Sequence, residues 1–198
     1  DIFKFKPVDK NAARELWNLP KNKKLILYGA VDATSDINKG FKEFSEAIQK
    51  LSCENVELIV FGGPTRNESD LFGLKTHHIG FLNDEESLIT LYSSADCMVV
   101  PSLQEAFGQT ASEAMACQTP VVAFNHSGLK DIVDHKVNGY LAIPFDTDDL
   151  SRGIDWVLNK GTNYKELCVN ARNKIVHNFN SDLIVENHIK LYREIINL

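Results

Sequence analysis

Short apolar runs, each closed by polar or turn residues and separated from the next by an amphipathic stretch, set the character of this chain. Residues 24–30 (KLILYGA), 56–62 (VELIVFG), 97–101 (CMVVP) and 120–124 (PVVAF) are apolar on both faces, which suits parallel strands covered on both sides by helices. Thr76–Gly80 and residues 139–143 are weaker strand candidates. Between the runs, residues 41–51 place Phe41, Phe44, Ile48 and Leu51 on one stripe, and residues 84–93 open on carboxylates that favour a helix N-terminus. Residues 109–117, 129–133 and 148–159 read as further helices. Beyond about residue 145 the strands stop, and residues 163–176 and 182–196 read as two last helices. This order predicts an α/β fold: a doubly wound, mainly parallel sheet with extra C-terminal helices. Ligands on such sheets bind beyond the carboxyl ends of the strands. Chemistry is therefore expected in the loops after Gly29, Phe61, Gly80, Pro101 and Phe124.

Size and charge narrow the function classes. At 198 residues, 43% hydrophobic and 24% charged, the chain can bury the core of one domain. A lead-in over 1–23, a strand-bearing core over 24–145 and helices over 146–198 divide that domain. The formal net charge is −6, from 21 basic and 27 acidic residues, which argues against nucleic acid as a partner. Lys21, Lys23 and Lys24 read as a solvated loop. No stretch is apolar enough to span a bilayer. The start, DIFKFKP, lacks an initiator Met and the apolar run of a signal peptide, and reads as a start inside a longer protein. Cys53, Cys97, Cys117 and Cys168 lie in or beside apolar runs without metal-site spacing. Buried free thiols in a reducing compartment are the expectation.

The most informative stretch is residues 101–116, PSLQEAFGQTASEAMA, which follows a strand candidate and enters a helix of small residues. Gly108 lets backbone N–H groups approach an anion, and the new helix N-terminus favours that charge. Glu105 lies in the loop and Glu113 on the first turns of the helix, so both could reach one pocket. A second reading of Glu113 is local. Thr110-Ala111-Ser112-Glu113 fits a capping box, in which Thr110 caps the helix and Glu113 bonds back to it.

At these residues the chain resembles a known family. Glu105, seven intervening residues and Glu113 match the E-x7-E signature of the large retaining glycosyltransferase family with the GT-B fold, glycosyl transferases group 1, family 4. That family includes many bacterial polysaccharide-building enzymes, sucrose synthases and mannosyltransferases. The resemblance covers nearly the whole chain: Phe3-x-Phe5-x-Pro7, Val60-Phe61-Gly62-Gly63-Pro64, Ile79-Gly80-Phe81-Leu82, Leu91-Tyr92-x-x-Ala95-Asp96, Pro120-Val121-Val122-Ala123 and Val137-Asn138-Gly139-Tyr140-Leu141 occur in the family's usual order. It implies the Rossmann-like, donor-binding C-terminal half of a GT-B enzyme, with the N-terminal acceptor-binding domain lying elsewhere in the same protein. It further implies that Glu113 binds the ribose hydroxyls and that Glu105 sits against the donor sugar. Backbone N–H groups around Phe107, Gly108 and Gln109 would hold the diphosphate. Ile79 and Gly80 would line the nucleobase loop, and Pro64 flanks the family's glycine turn.

In the first loop, Gly29 and Lys39 match the family, whereas Ala30 stands where an Arg is common. Lys39 would then stabilise the leaving diphosphate; without the family context it reads as a solvated lysine at a helix start. In residues 125–131, Ser127-Gly128 stands where the family has a glycine pair, and Asp131 where it has Glu. That loop reads either as another anion site or as an ordinary Ser-initiated helix. The resemblance implies no metal or other cofactor, only a nucleotide-sugar substrate. It also suggests a cytoplasmic setting, with peripheral association at the inner membrane face. Rival readings are a non-catalytic nucleotide-sugar-binding or assembly module, for which Ala30 speaks, and half of a sugar-nucleotide epimerase. A dinucleotide-binding domain is disfavoured because no G-x-G-x-x-G follows the first strand candidate.

Overall fold

Described here from a computed structural model are residues 1–29, 36–63 and 70–196. Six strands, β1 (Lys24–Gly29), β2 (Val56–Phe61), β3 (Thr76–Gly80), β4 (Cys97–Val100), β5 (Val121–Phe124) and β6 (Gly139–Ala142), form one sheet in the order β3-β2-β1-β4-β5-β6. Every pairing in it is parallel. From β1 the chain winds outward through β2 to β3, then returns to lay β4 against the other side of β1. The loops after β1 and β4 therefore diverge, and a crevice opens between them at the switch point.

The helices are α1 (Lys10–Leu16), α2 (Phe41–Ile48), α3 (Glu85–Ser94), α4 (Gln109–Ala116), α5 (Leu129–Ile132), α6 (Thr147–Leu158), α7 (Tyr164–Asn178) and α8 (Ser181–Ile196). They cover both faces of the sheet. Along β1 the side chains alternate between two cores: Leu25 and Leu27 join Ile59, Met98 and Met115, while Ile26 and Tyr28 join Phe44, Leu58 and Val99. Two-sided burial explains why the central strands carry no polar alternation. The α/β, doubly wound expectation holds, and among the described residues no strand follows β6.

The differences are local. α1 was not expected, since its segment carries few apolar residues. It starts at Asp9, whose carboxylate accepts the Ala12 N–H at 2.9 Å. Besides Ala13, α1 buries a cation: Arg14 donates to the Ser94 carbonyl at 2.9 Å and pairs with Asp96 at 2.7 Å. Asp96 also takes the Leu25 N–H at 2.8 Å and Lys10 Nζ at 2.8 Å, which fastens α1 to the foot of β1. β3 looked weak because it is an edge strand carrying His77, which pairs with buried Glu57 of β2 at 2.7 Å. All four cysteines are free; Cys97, Cys117 and Cys168 are buried as expected, whereas Cys53 is partly exposed.

Candidate functional site

The crevice between β1 and β4 brings together Lys39 and Glu105, 66 residues apart in sequence. A single 3-10 turn, Ile37–Lys39, is started by Asp36, which accepts the Asn38 N–H at 2.9 Å. Gly40 ends it with φ at 67°, and a Cβ there would lie 2.0 Å from the Pro101 carbonyl oxygen. Only glycine allows that approach. The turn is thus pressed against the loop after β4: the Leu103 N–H donates to the Asn38 carbonyl at 2.9 Å. The Tyr28 hydroxyl donates to the Lys39 carbonyl at 3.3 Å. With both backbones held, Lys39 Nζ lies 3.1 Å from Glu105 Oε2, and both side chains are largely buried. The Ser102 hydroxyl approaches the same oxygen at 3.5 Å. Gly29, Val100 and Thr110 complete this lining.

α4 begins beside this pair. Its first flanking residue is Gly108, at φ 92°, and no side chain caps the helix. The capping-box reading therefore fails: Thr110 lies inside the helix, and Glu113 takes other partners. Glu113 Oε2 accepts the Tyr92 hydroxyl at 2.9 Å, and Oε1 accepts the Gln109 amide at 3.0 Å. An uncapped helix start offers backbone N–H groups and the positive end of a dipole, the arrangement that holds phosphate. Burial pushes the Glu113 carboxyl above the usual glutamate range, and the Tyr92 and Gln109 hydrogen bonds pull part of the way back. Tyr92 is fully buried, and desolvation drives its phenol well above the usual tyrosine range, so it stays a donor.

Glu113 lines a cleft of about 410 Å³ with Phe5, Leu88, Phe107, Gln109 and Phe179. The partly exposed Phe107 ring sits 5.5 Å from that of Phe179. The two glutamates thus line neighbouring stretches of the chain but different concavities, Glu105 with Lys39 and Glu113 with Phe107 and Gln109. Ile79 and Gly80 close β3, where the Gly80 carbonyl accepts the Gly62 N–H at 2.8 Å. In sheet order β2 separates them from β1. Pro64 and Ala30 lie outside the described residues.

Three further side chains shape the site without having been assigned a part: Tyr92 beneath Glu113, Tyr28 beneath Lys39, and Ser127. Tyr92 stands inside a quoted family motif, but nothing in its spacing pointed at Glu113. The Ser-initiated helix was not found either. α5 is preceded by Gly128 without a side-chain cap, and Ser127 instead accepts the Glu105 N–H at 3.1 Å. Among the described residues, no group of three or more His, Cys, Asp or Glu is placed to hold a metal ion.

Comparison with known proteins sets this geometry in a family. An uncharacterised glycosyltransferase of Methanocaldococcus jannaschii is 34% identical over 163 residues, covering 78% of this chain and 42% of that protein. A D-inositol 3-phosphate glycosyltransferase of Mycolicibacterium smegmatis is 31% identical over 173 residues, covering 81% of this chain and 38% of its own length. Sucrose-phosphate synthase from Thermosynechococcus elongatus superposes with a TM-score of 0.84 at 30% identity, over 100% of this chain and 51% of that one. Two further structures share the fold. Anabaena HepE in complex with UDP and glucose matches at TM-score 0.78 and 21% identity, over 98% of this chain and 54% of its own. The C-terminal domain of a glycosyl transferase group 1 family protein from Francisella tularensis matches at 0.73 and 20%, over 91% of this chain and 98% of that domain. The chain thus spans about two-fifths of these curated relatives and about half of the longer solved chains. Its sheet and flanking helices are the Rossmann-like fold of GT-B glycosyltransferases. Residues 9–174 match the family described as Glycosyl transferases group 1, and the chain belongs to that family.

Proposed function

We propose that this chain is the C-terminal, donor-binding half of a retaining glycosyltransferase that moves a sugar from a nucleoside diphosphate to an acceptor hydroxyl. The observation that carries the reading is the Lys39–Glu105 pair, held at 3.1 Å in the switch-point crevice beside an uncapped helix start. The matching Francisella C-terminal domain, almost wholly covered by this chain, supports the placement.

In this reading Glu113 accepts the ribose hydroxyls, and Gln109 and Tyr92 keep its carboxylate turned to them. The N–H groups of Phe107, Gly108 and Gln109 take the diphosphate, beside Gly29 at the end of β1. Lys39 gives up its bond to Glu105 when phosphate oxygens arrive. It then offsets the charge that grows on the leaving diphosphate, where a fixed cation acts most strongly in a site shielded from water. Glu105, released, accepts a hydroxyl of the donor sugar. Ile79 and Gly80 flank the base. No metal or cofactor takes part, since Lys39 and the helix start supply the positive field.

The acceptor side belongs to the N-terminal domain of the same protein. α8 fits such a partner: Val185, Ile189, Tyr192 and Ile196 lie on one helical face and are all exposed. Domain closure then completes the site, so this chain alone turns over almost nothing. Polysaccharide or glycan synthesis in the cytoplasm, at the inner membrane face, is the setting the family resemblance suggests.

The test is ligand-observed NMR of UDP, GDP and ADP with this chain. One nucleotide should show saturation of its ribose and base protons, and Glu113→Ala should abolish it. HepE was solved with UDP, which makes UDP the first probe. Binding that survives Glu113→Ala intact refutes the ribose assignment.

A further inference from the structure

Resting on the reading of Glu105 as the residue that holds the donor sugar, we infer that Ser127 is a positioning residue for it. The loop after β4 and the loop after β5 are joined by a reciprocal pair of hydrogen bonds. The Glu105 N–H donates to Ser127 Oγ at 3.1 Å, and the Gly128 N–H donates to the Glu105 carbonyl at 2.9 Å. The loops are in tight contact: a Cβ on Gly128 would lie 2.4 Å from the Ala106 carbonyl oxygen. Both polar groups of the Glu105 backbone are thereby taken, and its side chain is left to face Lys39 and Ser102.

Ser127 holds this place at φ 49°, in the left-handed region, which disfavours residues with a Cβ and suits glycine. Were the segment only a link between β5 and α5, glycine would serve better. The hydroxyl is what serine adds, and it accepts the Glu105 N–H. Removing it leaves the nucleotide contacts in place and frees the carboxylate that meets the sugar. The effect should therefore fall on the sugar moiety alone.

The experiment compares the parent chain with Ser127→Ala, Ser127→Gly, Glu105→Gln and the double variant Glu105→Gln/Ser127→Ala. NMR measures amide exchange at Glu105 and affinities for UDP, GDP, ADP, UDP-glucose, GDP-mannose and ADP-glucose. Ser127→Ala should speed Glu105 amide exchange. It should also lower the preference for the sugar nucleotide over its bare nucleotide by about fivefold, the worth of one hydrogen bond, with bare-nucleotide affinity nearly unchanged. Ser127→Gly should lose the same preference while its thermal midpoint holds or rises, because the strained backbone is relieved. The double variant should lose no more than Glu105→Gln, since both changes act through one carboxylate.

An unchanged Glu105 exchange rate in Ser127→Ala overturns the inference. So does an unchanged sugar preference in that variant when Glu105→Gln loses it. If Glu105→Gln also keeps the preference, or no nucleotide binds, the donor-site reading fails and takes the positioning role with it.

Discussion

Tyr92→Phe isolates one hydrogen bond under the Glu113 carboxylate. Tyr92 is fully buried, and its ring packs edge-on to Phe61 at a centroid distance of 6.0 Å. Phenylalanine keeps that packing and removes only the hydroxyl that donates to Glu113 Oε2 at 2.9 Å. A hydrogen bond to an ionised group is worth about 1.5–3 kcal/mol, and one between neutral groups about 0.5–1.5 kcal/mol. Glu113 keeps its bond from Gln109 and some solvent, so the expected loss at neutral pH is about 2 kcal/mol. For a domain of this size that lowers the unfolding midpoint by roughly 4–8 °C.

The sign with pH follows from Glu113. Burial raises its folded-state proton affinity above that of the unfolded chain. Stability from this group therefore declines as pH rises from the ordinary glutamate range through the raised folded value. Tyr92 opposes the rise, so its removal lifts the folded value further and deepens the decline. The deficit of Tyr92→Phe should be largest at neutral pH and shrink to about 1 kcal/mol once Glu113 is protonated, where the lost bond joins neutral groups. Urea unfolding of both proteins across that range measures it, with the Glu113 carboxyl followed by NMR. A deficit that is flat with pH, or larger in acid, refutes the argument, as does a Glu113 titration that does not move upward.

Two other substitutions test the supports of the site. Gly40→Ala places a methyl 2.0 Å from the Pro101 carbonyl at a positive φ. It should cost at least about 1 kcal/mol in urea unfolding and weaken diphosphate binding as Lys39 is displaced from Glu105. Arg14→Met strips Asp96 of its 2.7 Å partner and leaves the Ser94 carbonyl without its donor. It should cost about 3 kcal/mol, read as a lowered urea midpoint with the m-value unchanged.

How far the sequence carries depends on which interactions are local. Central strands were legible because burial on both faces leaves an uninterrupted apolar run, as in residues 56–61, where only Glu57 breaks the pattern. β3 and α1 read poorly for the same physical reason. Each carries a polar residue, partly buried His77 and buried Arg14, that is satisfied by a partner on another element: His77 by Glu57, Arg14 by Asp96. Hydrophobic periodicity is blind to such residues. The start of α4 shows the limit of local rules. Thr110 and Glu113 have capping-box spacing, yet the chain turns at left-handed Gly108, two residues earlier, and Glu113 instead accepts from Tyr92 of α3 and from Gln109.

The same distinction governs the site. Glu105, Glu113 and Lys39 were singled out as individuals, by motif and by their place before or within a helix. Their pairing was not legible, because it is made by the sheet: β4 returning beside β1 is what sets the loop of Lys39 against that of Glu105. Ser127 illustrates the consequence. In sequence it is a serine where the family has a glycine pair, and the loop reads either as an anion site or as an ordinary helix start. In the fold it replaces glycine's conformational freedom with a hydroxyl on the Glu105 backbone, at a φ that glycine would adopt without strain. A departure from a family pattern in a loop is thus no measure of lost function until the opposite loop is known. Here the opposite loop carries the residue on which the proposed chemistry turns.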